Sequence, residues 1–177
     1  MPSTKSNSFH AAFCAALVLA GTVPVAYSAS PGGWMADSAT GCRVWNPHPQ
    51  PNESVKWSGP CEDGLAHGRG TVQWLRNNRP FETDEGEWRE GRQTGEGSQI
   101  WPSGRYEGQT ANGEPNGRGV LTLQGLIYRG EFRDGKPNGT GAMMNLSGEI
   151  FQGTWNDGCF RDGQRRASLG VPLSTCP

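Results

Sequence analysis

The sequence predicts an all-β fold: an elongated single-layer antiparallel sheet of stacked β-hairpins with disulfide-fastened ends. Three observations predict it. Glycines recur in four fixed columns, Asp-Gly or Asn-Gly pairs recur inside the units, and aromatic residues alternate with period two around the first glycine. A self-similar period of this length is the signature of a stacked repeat architecture.

The first column is Gly59, Gly86, Gly108, Gly130 and Gly153, at spacings of 27, 22, 22 and 23 residues. Five residues later stand Gly64, Gly91, Gly113, Gly135 and Gly158. The third and fourth columns are Gly68, Gly95, Gly117, Gly139 and Gly70, Gly97, Gly119, Gly141. The last unit loses both and reads Cys159-Phe160-Arg161-Asp162-Gly163, so residues 55–163 hold four full units and one truncated one.

Each unit reads as a hairpin. Asp63, Glu90, Asn112, Asp134 and Asp157 precede the second glycine, and Asp-Gly or Asn-Gly tolerates the positive φ of tight turns. Two residues before the first glycine come Trp57, Asp84, Tyr106, Tyr128 and Phe151; two after it come Cys61, Trp88, Thr110, Phe132 and Trp155. Strand side chains alternate, so these columns share a face with the glycine, which leaves a gap for neighbouring rings. Val72/Trp74, Trp101 and Leu121/Leu123 repeat the alternation on the second strand. Pro102-Ser103-Gly104, Gln124-Gly125 and Ser147-Gly148 connect the units, and five extra residues in 76–83 predict a longer loop after the first.

The ends read differently. Lys5 precedes the apolar run AAFCAALVLAGTV, then Pro24 and the small residues Ala26 and Ser28. Thirteen apolar residues are short for a bilayer span, and the pattern predicts a signal peptide over residues 1–28, cleaved between Ser28 and Ala29. Residues 29–54 are expected to be a flexible segment, with 31–41 mobile, and an N-terminal cap; residues 164–177 are a C-terminal cap or tail. Cleavage leaves Cys42, Cys61, Cys159 and Cys176, an even count that implies disulfides in an exported chain. Three pairings are open, and the positions favour Cys42–Cys61 and Cys159–Cys176, one pair bracketing each end. No Cys-x-x-Cys or Cys/His cluster suggests a metal.

The stretch Tyr128-Arg129-Gly130-Glu131-Phe132-Arg133-Asp134-Gly135 through Gly141 resembles the MORN repeat (membrane occupation and recognition nexus). The segments Cys42-Arg43-Val44-Trp45-Asn46 and Trp57-Ser58-Gly59-Pro60-Cys61 look like the N-terminal cap of bacterial exported MORN proteins. The resemblance implies stacked hairpins in a twisted antiparallel sheet. Asp84 and Thr110 stand where the pattern has aromatics and should weaken local packing.

Little in the chain points to catalysis. The Gly-x-Gly pairs lack a dinucleotide fingerprint or a Gly-Lys-Ser/Thr loop. His48 lies between Pro47 and Pro49, and His67 fills a turn; neither has a triad context. The carboxylates alternate with Arg in repeat register, as on a solvated sheet face. A non-enzyme without cofactors is expected; converging carboxylates beside a pocket would reopen the question. A net charge of -1 argues against nucleic acid. Trp74, Trp88, Trp101, Tyr106, Tyr128, Phe132, Phe151 and Trp155 are the candidate protein-binding face, since aromatics dominate interface hot spots. The resemblance implies a periplasmic binding module similar to immunity proteins that neutralise lipase effectors of type VI secretion. The alternative is a lipid-associated envelope scaffold, for which Arg161, Arg165 and Arg166 form the only compact basic cluster.

Overall fold

A computed structural model describes residues 32–177; the apolar run and the Ser28/Ala29 junction lie outside them. An eleven-stranded sheet dominates. Its first edge is β3 (Glu53–Ser58), which pairs β6 (Gly68–Arg76). From there the chain meanders, each strand antiparallel to the last: β7 (Arg79–Arg89), β8 (Arg92–Trp101), β9 (Gly104–Ala111), β10 (Glu114–Leu123) and β11 (Leu126–Arg133). It ends with β12 (Lys136–Met144), β13 (Ile150–Asn156), β14 (Cys159–Asp162) and β15 (Arg165–Ser168). A second, four-stranded sheet orders β1 (Gly33–Ala36), β2 (Arg43–Asn46), β5 (Leu65–Ala66) and β4 (Cys61–Glu62), with β2 and β5 parallel.

The hairpin turns follow the sequence. Asp63-Gly64, Glu90-Gly91, Asn112-Gly113, Asp134-Gly135 and Asp157-Gly158 all have positive φ at both residues, the backbone twist that joins adjacent strands without splaying them. The glycine columns do something further. Gly70, Gly86, Gly97, Gly108, Gly119, Gly130, Gly141 and Gly153 stand opposite one another across eight strands. A Cβ on Gly70 would strike Trp57, on Gly119 Tyr106 and on Gly141 Tyr128. The row is therefore a channel in the sheet, and aromatic rings lie along its floor.

Beside the channel runs a row of side chains. Trp57, Val72, Asp84, Gln99, Tyr106, Leu121, Tyr128, Met143 and Phe151 are successive cross-strand partners. Two apolar clusters share this face. One holds Val55, Trp57, Val72, Trp74 and Trp88 under Val44 and Ala66. The other holds Tyr106, Tyr128, Phe132, Trp155 and Phe160, with Ala167 and Leu169 at its end. Rings meet edge to face, as in Tyr106–Phe132 at 5.2 Å and Tyr128–Trp155 at 5.2 Å. Each such pair contributes about 0.5–1.5 kcal/mol beyond the area it buries.

The ends are fastened as the cysteine positions favour: Cys42 to Cys61 and Cys159 to Cys176. Within residues 32–41, β1 pairs β2 and Trp34 packs edge-on against Trp45 at 5.3 Å. Asp37 anchors the turn that follows, accepting from the backbone N–H of Trp57 at 2.9 Å and of Ala39 at 2.8 Å. Those bonds hold its carboxyl below the ordinary range. One expectation is corrected: the expected long loop in 76–83 is a two-residue turn at Asn77-Asn78, both at positive φ, and the surplus lengthens β7 to 11 residues.

Candidate binding cleft

The side-chain row is apolar or aromatic except where β7 and β8 cross it, at Asp84 and Gln99. Elsewhere an aromatic ring covers the glycine channel: Trp57 at Gly70, Tyr106 at Gly119, Tyr128 at Gly141 and, from β14, Phe160 at Gly153. Here Asp84 is too short to reach it, and the Gln93 amide takes the ring's place against Gly86 and Gly97. Gln93 donates to the Glu85 carbonyl at 3.1 Å and accepts from Gln99 Nε2 at 3.0 Å. Gln99 Nε2 also donates to the Gly113 carbonyl at 2.9 Å. The missing ring leaves a cleft of about 190 Å³ in the neighbourhood of both clusters.

The lengthened β7 equips this cleft. A bulge after Trp74 sets Glu82 opposite it, so Glu82 and Asp84 project from alternate positions of one strand face. Trp74, Trp101, Tyr106, Leu121 and Phe132 supply the walls. His48 and Glu114, 2.8 Å apart, belong to the lining with the exposed Asp134 and Lys136. Behind Glu82 lies the ion pair of Arg76 with Glu53, at 2.6 Å.

Burial decides the electrostatics. Asp84 is 4% exposed; burial pushes its carboxyl up to about 7, and hydrogen bonds from Trp74 and Glu82 restrain the rise. Trp74 Nε1 donates to Asp84 Oδ2 at 2.6 Å. Asp84 Oδ1 is buried as well, and the Asp84 carboxyl is hydrogen-bonded to that of Glu82. Glu82 is raised well above its ordinary value, by burial first, then by the negative charges of Asp84 and Glu53; Arg76 opposes this. The hydrogen bond coupling the two carboxyls requires a proton on one of them. Burial therefore favours the state in which the two carboxyls share a proton.

The eight aromatics named from sequence do not form an open face. Trp74, Trp88, Tyr106, Tyr128, Phe132, Phe151 and Trp155 are buried and Trp101 is half-buried, because rings lying along the glycine channel cover one another. Trp74, Trp101, Tyr106 and Phe132 come together at the cleft; the other four do not. The basic cluster stays together, with Arg161 and Arg166 as cross-strand partners on β14 and β15. Arg165 Nη2 donates to the Ile150 carbonyl at 2.6 Å with its guanidinium 5.0 Å from the Phe151 ring, and Arg166 donates to the Cys176 carbonyl.

Sequence reasoning noted Asp84 only as a packing defect and missed Glu82, Gln93, Gln99 and Glu114. The available signal was a conjunction: an acid in an aromatic column immediately after an insertion. Converging carboxylates beside a pocket, the one feature that would reopen an enzymatic reading, are thus present.

Comparison with known proteins places these residues in the repeat pattern. No curated protein matches the chain. The MORN repeat matches residues 62–79, 85–104, 106–124 and 128–143, leaving the truncated fifth unit unmatched. Glu82 and Asp84 fall between the first and second matches, so the acid pair stands where the chain departs from the repeat. Four stretches of the chain thus match the MORN repeat, a pattern that suggests a repeat-based binding module.

Proposed function

We propose that the chain is a non-catalytic, periplasmic protein-binding module, and that it serves as an immunity protein that binds and neutralises a type VI secreted lipase or phospholipase. The cleft carries the binding part of this reading. It is aromatic-walled, has an acidic floor and is built on paired strands, so a partner would meet a preorganised surface. Aromatic anchors with a few buried polar groups are the usual centre of a protein interface. Two disulfides support an oxidising compartment such as the periplasm.

The test uses the tagged full chain, expressed in its own cells and cross-linked in the envelope. A lipase should be recovered, and its activity should fall as purified chain is added to equimolar amount. Recovery of no protein partner would sink the binding reading; recovery of a partner without lipase activity would sink only the immunity role. A second reading, acid–base catalysis, has the proton-sharing carboxyls in its favour. Against it, glycosidic acid pairs stand about 5–9.5 Å apart to admit a sugar and water, whereas these two are hydrogen-bonded to each other. The lipid-scaffold alternative has the exposed Arg161, Arg165 and Arg166 in its favour, although Arg165 already pairs with Glu149 at 3.4 Å.

A further inference from the structure

We propose that two copies of this chain pack back to back through the face of the sheet opposite the cleft, about a twofold axis running along β10.

Strand alternation defines that face, since the side chains flanking the buried row point away from both apolar clusters. One line of it is made of successive cross-strand partners: Ile100, Arg105, Thr122, Ile127, Met144 and Ile150. Ile100 is 53% exposed, Met144 43% and Ile150 53%, whereas the residues just before or after them on the inner face, Gln99, Met143 and Phe151, are buried. A line of large apolar side chains left in water across several strands marks an interaction surface.

The pattern across the strands selects the occupant. Ile100 on β8 and Met144 on β12 lie two strands to either side of β10. In the neighbouring line, Glu107 on β9 and Arg129 on β11 are both cross-strand partners of Val120 on β10. Turning a second copy over about β10 lays Ile100 on Met144 of the other copy and Glu107 on its Arg129, and each contact occurs twice. Both charges are exposed. Arg129 enters no ion pair among the described residues, and Glu107 has the exposed Arg105 at 3.1 Å. On the axis itself Val120 and Thr122 meet their own copies, and they are small enough for two sheets to approach to about 10 Å. A lipid or wholly apolar surface would cover the isoleucines but strip water from Glu107 and Arg129 without pairing them.

The sheet's edges offer less. Asp37 takes the Trp57 N–H at the β3 edge, and Arg166 on β15 is bonded to the C-terminal tail at Cys176, so strand addition is hindered at both ends. Back-to-back packing leaves both clefts open on the outside of the dimer, and it holds whatever the cleft binds.

The test is sedimentation velocity of the purified full chain, disulfides intact, across the micromolar range. A reversible monomer–dimer equilibrium is expected, because six strands at about 4.8 Å give a patch roughly 25 Å across, at the small end of specific interfaces. Met144→Glu should abolish the dimer. Glu107→Arg and Arg129→Glu should each weaken it about tenfold or more, since like charges then face one another twice. Mixing these two charge variants in equal amounts restores opposite charges at both contacts and should return the dimer, as should both changes in one chain. All three positions are exposed, and an unchanged urea midpoint checks that each variant is folded. A chain that stays monomeric throughout overturns the inference, whether or not it sediments with lipid vesicles. So does a dimer that survives Met144→Glu, or a pair of charge variants that fail to rescue one another.

Discussion

Replacing Asp84 by Asn should flatten the protein's loss of stability with rising pH. Asp84 titrates near 7 in the folded chain, against 3.8 for an ordinary aspartate. The folded state therefore holds this proton after the unfolded chain has released it. The sign follows from linkage: stability is full below about pH 4, falls as pH rises, and levels off above about 7. Each pH step across that interval costs about 1.4 kcal/mol, so the whole interval removes roughly 4 kcal/mol. That is a large share of the 5–15 kcal/mol that holds a typical domain together. Glu82 is raised in the same direction and adds to the fall, and removing the Asp84 charge should relieve it in part. Asn keeps an oxygen for Trp74 Nε1 and brings no charge into the cleft. Urea unfolding with the disulfides intact, at several pH values from 4 to 8, measures the effect. Wild type should lose up to about 4 kcal/mol more than the variant over this range. Groups common to both proteins cancel in the difference. Parallel pH profiles would refute the reasoning, since they would mean that Asp84 stays ionised when buried.

Gly141→Ala should cost about 1–3 kcal/mol by overpacking, because its Cβ would collide with the Tyr128 hydroxyl over the glycine channel; thermal unfolding reads the loss. The same substitution in a Tyr128→Phe background should cost less, and a double-mutant cycle would report the coupling. Replacing Cys159 and Cys176 by Ser opens a link of sequence separation 17 and should remove about 3 kcal/mol on the loop-entropy model, measured as a shift in the urea midpoint. Intact-mass analysis of chain recovered from the envelope should place its N-terminus at Ala29; retention of residues 1–28 would refute the expected cleavage.

The hairpin array was legible because its determinants are local. A turn needs Asp or Asn before Gly at one position, and a strand's face is fixed by alternation, so both appear as columns in a single chain. Register followed from the same columns, since the glycines of successive strands align into one channel. The cleft was illegible for the opposite reason. Glu82 and Trp74 become partners only through a bulge and a two-residue turn, and five surplus residues in sequence look the same whether they form a loop or extend a strand. Whether an aromatic is exposed is likewise not a property of its column. It depends on the neighbouring ring, which in this sheet comes from another strand. The sequence by itself determined the repeat, the turns and the placing of two cysteines near each end of the array. Tertiary structure decided that most of the aromatics are core, and that a short acid in a ring's place leaves a cleft whose charge burial nearly removes.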